Sequence, residues 1–144
     1  MSKKQIVAKY FRKGLEPIAK ERFPNFYEAK MCGLCAIASF SLHLLFKELG
    51  IDSSFVIGTF YSNKDLMGFI DHSFVVSEGT IIDITSDQFG LEPVTFANIK
   101  DSRYTIESYG RKAVKELNSW PLDQKPTKEI TQLLLYKFES DYMI

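Results

Sequence analysis

From Leu34 to Leu49 the chain reads LCAIASFSLHLLFKEL, apolar on nearly every side when wound as an α-helix. Such a helix cannot rest on a surface with one face in water. The rest of the chain must wrap it, so the fold is built around a central, buried helix. Gly50 ends it, as a glycine past the last turn does.

The flanking segments supply the cover. Between Lys3 and Arg22, Ile6, Val7, Tyr10, Phe11, Leu15, Ile18 and Ala19 fall at helical spacing among lysines and arginines. Pro17 is expected to break that helix in two, and FPNFYEAK (23–30) to form a loop. After Gly50 the texture turns to strands. SFVIGTF (54–60) predicts a strand and YSNKDLMG a connection. HSFVVSEGTIIDIT (72–85) is the clearest hairpin, with Glu78-Gly79 as its turn. PVTF (93–96) predicts another strand, RKAVKELNSW (111–120) a short helix, and TKEITQLLLYKF (127–138) a closing helix capped by Thr127. The order gives an α+β domain: a buried helix on a small antiparallel sheet, with flanking helices. A single domain over 1–144 is expected, with core 32–97 and helical segments 3–22 and 111–139.

Charge and composition exclude several classes. Eighteen basic and eighteen acidic side chains cancel, so no net field draws in nucleic acid or an anionic membrane. No apolar run is long enough to span a bilayer, and MSKKQIVAKYFRKG has no continuous apolar stretch of the signal-peptide kind. Two cysteines three positions apart are no disulfide framework. A reducing, cytoplasmic location is expected.

Those cysteines, Cys32 and Cys35, stand at the mouth of the buried helix and admit three readings. As C-x-x-C they form a redox pair, but the preceding FPNFYEAKM lacks the buried strand of a thioredoxin-type unit. As metal ligands they need partners, and the chain has only His43 and His72 to offer. His43 lies on the same helix about 12 Å beyond Cys35, too far to share an ion, so no metal is expected. As a nucleophile, Cys35 gains the positive end of the helix and the outward N–H groups of its first turn.

A nucleophile needs a base and a group to orient it. With a two-residue turn, Ser77 pairs with Thr80 and Phe74 lies opposite Asp83. His72 then shares a face with Asp83 as its diagonal neighbour, with Cα atoms roughly 7–8 Å apart. Asp83 sits among Ile81, Ile82 and Ile84, where an unpaired carboxylate is costly.

These residues resemble the papain-like fold of the transglutaminase-like kind over roughly 32–89. CGLCAIASFSLHLLFKELGI is similar to the nucleophile helix, and DHSFVVSEGTIIDITSDQF to the hairpin that carries histidine and aspartate, with Phe74 in place of the usual tryptophan. The resemblance implies Cys35 as nucleophile, His72 as general base and acid, and Asp83 as orienting group. The glutamine that papain-like proteases carry before the nucleophile is absent from YEAKMC. Oxyanion stabilisation then falls to backbone N–H groups, Tyr27 or Gln88, with Cys32 also near the substrate.

The expected function is acyl transfer on amide bonds of a protein, peptide or small molecule, without metal or organic cofactor. Peptidase, amidase, deamidase, transglutaminase and acetyltransferase chemistry all fit. The segments 61–68, with Asn63 and Lys64, and 88–92 are expected to rim the cleft. Two rivals stand beside it: a catalytically silent binding domain using exposed Tyr109 and Trp120, and the C-x-x-C redox domain.

Overall fold

The computed structural model describes residues 2–29, 34–63, 68–118 and 125–142. Cys32, Lys64 and Trp120 lie outside the described residues. Helix α1 (Lys3–Arg22) opens in a reciprocal cap, in which Ser2 Oγ accepts from the Gln5 N–H and the Gln5 side chain accepts from the Ser2 N–H. It runs unbroken through Pro17, against expectation. Proline removes one main-chain hydrogen bond, but Val7, Ala8, Phe11, Leu15 and Ala19 are buried along the helix and hold it on the core. The expected loop after it contains a short helix, α2 (Pro24–Glu28), which Pro24 starts with its preset backbone angle.

The buried helix, α3 (Cys35–Glu48), is wrapped as its composition demands. Leu42, Leu45 and Phe46 are fully buried, each such side chain contributing about 1.5–3 kcal/mol. They pack in a cluster with Phe11 and Leu15 of α1, with Ile130 and Leu134 of α5 (Lys125–Tyr142), and with Val75 and Ile82 from the sheet. On another side Ala36 and Phe40 meet Phe55 and Ala113, the latter from α4 (Arg111–Asn118). The hydrophobic core is therefore not confined to 32–97. Helix α5 begins before Thr127, so Thr127 is not its cap; it is a buried residue whose carbonyl accepts from Ser41 and Thr131.

Five antiparallel strands form one sheet in the order β4-β3-β2-β1-β5. They are β1 (Ser54–Ser62), β2 (Gly68–Ser77), β3 (Thr80–Asp83), β4 (Thr95–Asn98) and β5 (Tyr104–Tyr109). Both β1 and β2 extend beyond the expected segments toward their connection. Strand β4 starts two positions late because Pro93 has no N–H for a ladder. Strand β5 was not expected. The hairpin has the two-residue turn, with Glu78 and Gly79 both at positive φ (51° and 79°), and Ser77 faces Thr80.

Alternation along the strands sorts the side chains onto two faces. One presents Phe55, Val75 and Ile82 to the helices. The other gathers Val56, Phe60, Phe74, Ile81 and Tyr104 with Phe89, which arrives on a 3-10 turn (Ser86–Phe89). Arg12 of α1 fastens that turn. Its guanidinium is buried and donates to the Ile84 and Pro93 carbonyls and, through two nitrogens, to both oxygens of Asp87 at 2.8–2.9 Å.

Candidate active site

The second face of the sheet carries the site. Asp83, at the end of β3, is completely buried and accepts three kinds of donor. Its Oδ2 lies 2.8 Å from His72 Nε2 and 2.9 Å from the Tyr104 hydroxyl, which donates to it. Its Oδ1 accepts from the Thr85 main-chain N–H at 3.1 Å. The hairpin register makes this meeting: Val75 pairs with Ile82, so Phe74 stands opposite Asp83 and His72 one diagonal away. A buried carboxylate so surrounded is held in one orientation.

Phenylalanines enclose the imidazole. Phe89 meets it edge to face with centroids 4.9 Å apart, and Phe60 and Phe74 lie 6.4 and 6.1 Å away. Burial opposes a charge on His72, but the charge and hydrogen bond of Asp83, with a smaller part from Cys35, push its pKa up to about 10. Burial and Asp83 push the Tyr104 phenol well above its ordinary range, so it stays a donor. His43 is the contrast: half-buried, bonded through Nδ1 to Ser53 Oγ at 2.8 Å, its pKa is lowered by burial and by Lys47.

The thiol reaches His72 around an edge. Strand β3 ends at Asp83, so the first part of β2 runs on without a strand on that side. Helix α3 docks there: Ser39 Oγ donates to the Ser73 carbonyl at 3.0 Å. Cys35 is one helical turn before Ser39 and Ser73 follows His72, so this bond sets thiol beside imidazole. Cys35 is half-buried and free, and it lines one cleft of ≈ 280 Å³ with His72, Ile57, Asp71, Ser73, Glu107 and Glu116. His72 Nδ1, the nitrogen not used on Asp83, is buried and makes no closed hydrogen bond. Leu34, at the cap position of α3, makes no side-chain cap hydrogen bond to the first N–H groups of the helix.

The structure thus brings Cys35, His72 and Asp83 together and leaves the other candidates elsewhere. Gln88 lies on the 3-10 turn, where its amide donates to the Thr85 carbonyl at 2.9 Å and to Thr85 Oγ1 at 3.2 Å. Tyr27 is on α2, part-exposed, and does not line the cleft. Of the expected rims, 64–67 lie outside the described residues, and none of 61–63, Gly68 and 88–92 lines it; β5 and α4 do, through Glu107 and Glu116. Tyr104 and Arg12 were missed. The signal for Tyr104 was present in RYTIESY, which is rich in β-forming residues. No sequence signal distinguishes Arg12 from the surface cations around it, because, apart from Glu16 one turn on, its partners Ile84, Asp87 and Pro93 lie more than seventy residues away.

Among the described residues no group of three or more His, Cys, Asp or Glu side chains is placed to hold a metal ion. None of the described helices is long and apolar enough to cross a membrane. A larger cleft of ≈ 600 Å³ between α1 and α5, lined by Lys9, Tyr10, Lys13 and Lys137 among others, contains neither cysteine nor histidine. Comparison with family models, with curated proteins and with solved structures returned no match for this chain.

Proposed function

We propose that this protein is a papain-like, transglutaminase-like cysteine enzyme that transfers acyl groups from amide bonds, with Cys35 as nucleophile, His72 as base and acid, and Asp83 as orienting group. One observation carries the reading. His72 is buried with one nitrogen on an anchored carboxylate and the other unsatisfied on the side of a free thiol. A histidine that served packing alone would have both nitrogens satisfied or be exposed.

The raised pKa of His72 favours its imidazolium form, which holds the proton that the departing amine needs. Cys35 Sγ attacks the carbonyl carbon, and the first N–H groups of α3 stabilise the oxyanion. The C–N bond breaks as His72 gives its proton to the departing amine. Water, activated by His72, then opens the thioester and releases the acid; an amine in place of water gives a new amide. Tyr104 acts through Asp83 as a positioning residue.

The test is labelling with chloroacetamide electrophiles near neutral pH in the wild type, Cys35→Ala, Cys32→Ala and His72→Ala. Labelling should vanish in Cys35→Ala, persist in Cys32→Ala, and slow by about 10²–10⁴-fold in His72→Ala. Labelling confined to Cys32 would sink the assignment, and a rate indifferent to His72 would favour the silent binding domain.

A further inference from the structure

The chain as a whole carries no net charge, yet the walls of the Cys35 cleft do. Asp71, Glu107 and Glu116 line it, with Ile57 and Ser73, and no lysine or arginine is among its described lining residues. The pairing register explains the grouping. Thr59 of β1 lies between Asp71 on β2 and Thr105 on β5, and Glu107 is the extra residue where the β1–β5 register shifts, between the Gly58–Ile106 and Ile57–Ser108 pairs. Glu116 comes from α4 and is steadied by Ser108 Oγ, which donates to it at 2.9 Å. Asp71 and Glu107 belong to no ion pair among the described residues.

Three carboxylates alone would be a solvated acidic surface. Here an independent feature marks the same cleft as a place for a ligand. His72 is only 2% exposed, its Nδ1 has no partner, and it lines the cleft beside the Cys35 thiol. The acidic side chains do not converge as metal ligands do. Separated carboxylates around an isoleucine suit an organic cation on an aliphatic stem, with the stem along Ile57 and the charge among the acids.

We infer that Asp71, Glu107 and Glu116 form a cation subsite next to Cys35, so that the amide this enzyme cleaves carries a primary ammonium or guanidinium group close to its carbonyl. The inference rests on Cys35 being the nucleophile and adds the class of substrate. A cationic amide is concentrated at the mouth of the cleft and oriented before attack; a carboxylate-bearing one is repelled.

Charged thiol reagents test it on the full chain in a Cys32→Ser background, where Cys35 is the remaining thiol. The reagents are 2-(trimethylammonio)ethyl and 2-sulfonatoethyl methanethiosulfonate. In each, the thiolate displaces methanesulfinate and forms a mixed disulfide. Each rate is divided by that of the same reagent with N-acetylcysteine amide, which removes intrinsic reactivity. The normalised cation-to-anion ratio should be about tenfold or more at low ionic strength and fall toward one in 0.5 M salt. It should also fall below about threefold in Asp71→Asn/Glu107→Gln, whose altered side chains are exposed. A ratio near one in the parent protein at low salt overturns the subsite. Neutral iodoacetamide separates the two claims. If His72→Ala slows it while the charge ratio is flat, the subsite falls and the nucleophile stands; if His72→Ala changes nothing, both fall.

Discussion

The two faces of the sheet are made from the same strands and do opposite work. Toward the helices, Phe55, Val75 and Ile82 meet α1, α3, α4 and α5 in apolar clusters. Away from the helices, the same strands place His72, Asp83 and Tyr104 inside a box of phenylalanines closed by the 3-10 turn. The first face is stabilised by volume and area, which tolerate many residue choices of the right size. The second depends on particular atoms, because each buried polar group there costs free energy unless its partner is present. The two histidines repeat the lesson: burial lowers His43, while a buried carboxylate overrides burial and raises His72.

The sharpest way to break the contrast is Asp83→Ala. It strands a buried histidine and a buried tyrosine hydroxyl, and should cost about 3–5 kcal/mol in urea unfolding, with loss of Cys35 reactivity. A loss below about 1 kcal/mol would mean the polar face is no more demanding than the apolar one. Leu42→Ala, in the middle of α3 and fully buried, should cost about 3 kcal/mol through the cavity it leaves. Its effect should be the same at pH 6 and pH 9, unlike that of any change on the other face.

The histidines provide the next comparison, read as melting temperature against pH. His72 is favoured in its protonated form by the fold, so its contribution is complete below pH 6.5 and fades as pH rises to about 10. The gap between wild type and His72→Phe should narrow over that range. His43 is favoured neutral, so its contribution is present above pH 6.5 and is lost as pH falls. The gap for His43→Phe should narrow in the opposite direction, and parallel curves would erase the distinction. The smallest effect is expected for Tyr104→Phe, about 1 kcal/mol, for one of the donors to Asp83. It should also shift the pH profile of iodoacetamide labelling, which a purely packing role for the ring would leave in place.

Much of this was legible in the residues because it is local. The extent of α3 follows from its all-round apolarity and its closing glycine, and the hairpin from two residues that accept positive φ. Once the turn is two residues long, alternation brings His72 to Asp83 without knowledge of any other element. What escaped was non-local or weakly patterned. Pro17 reads as a breaker because propensity ignores the core that holds the helix. Tyr104 reads as an ordinary aromatic until β5 pairs with β1, and Arg12 as one more surface cation until Ile84, Asp87 and Pro93 come to it. Gln88 reads as a free amide until the turn folds it onto its own Thr85.

The sequence by itself determined the buried helix, the hairpin and the facing of His72 and Asp83, since helix and strand periodicities act over a few residues. Tertiary structure alone decided that Cys35 meets the imidazole, that Tyr104 and Arg12 support the site, and that three carboxylates share its cleft. The reason is physical: those meetings depend on where β3 stops, on which open edge α3 docks against, and on a fifth strand arriving from far along the chain.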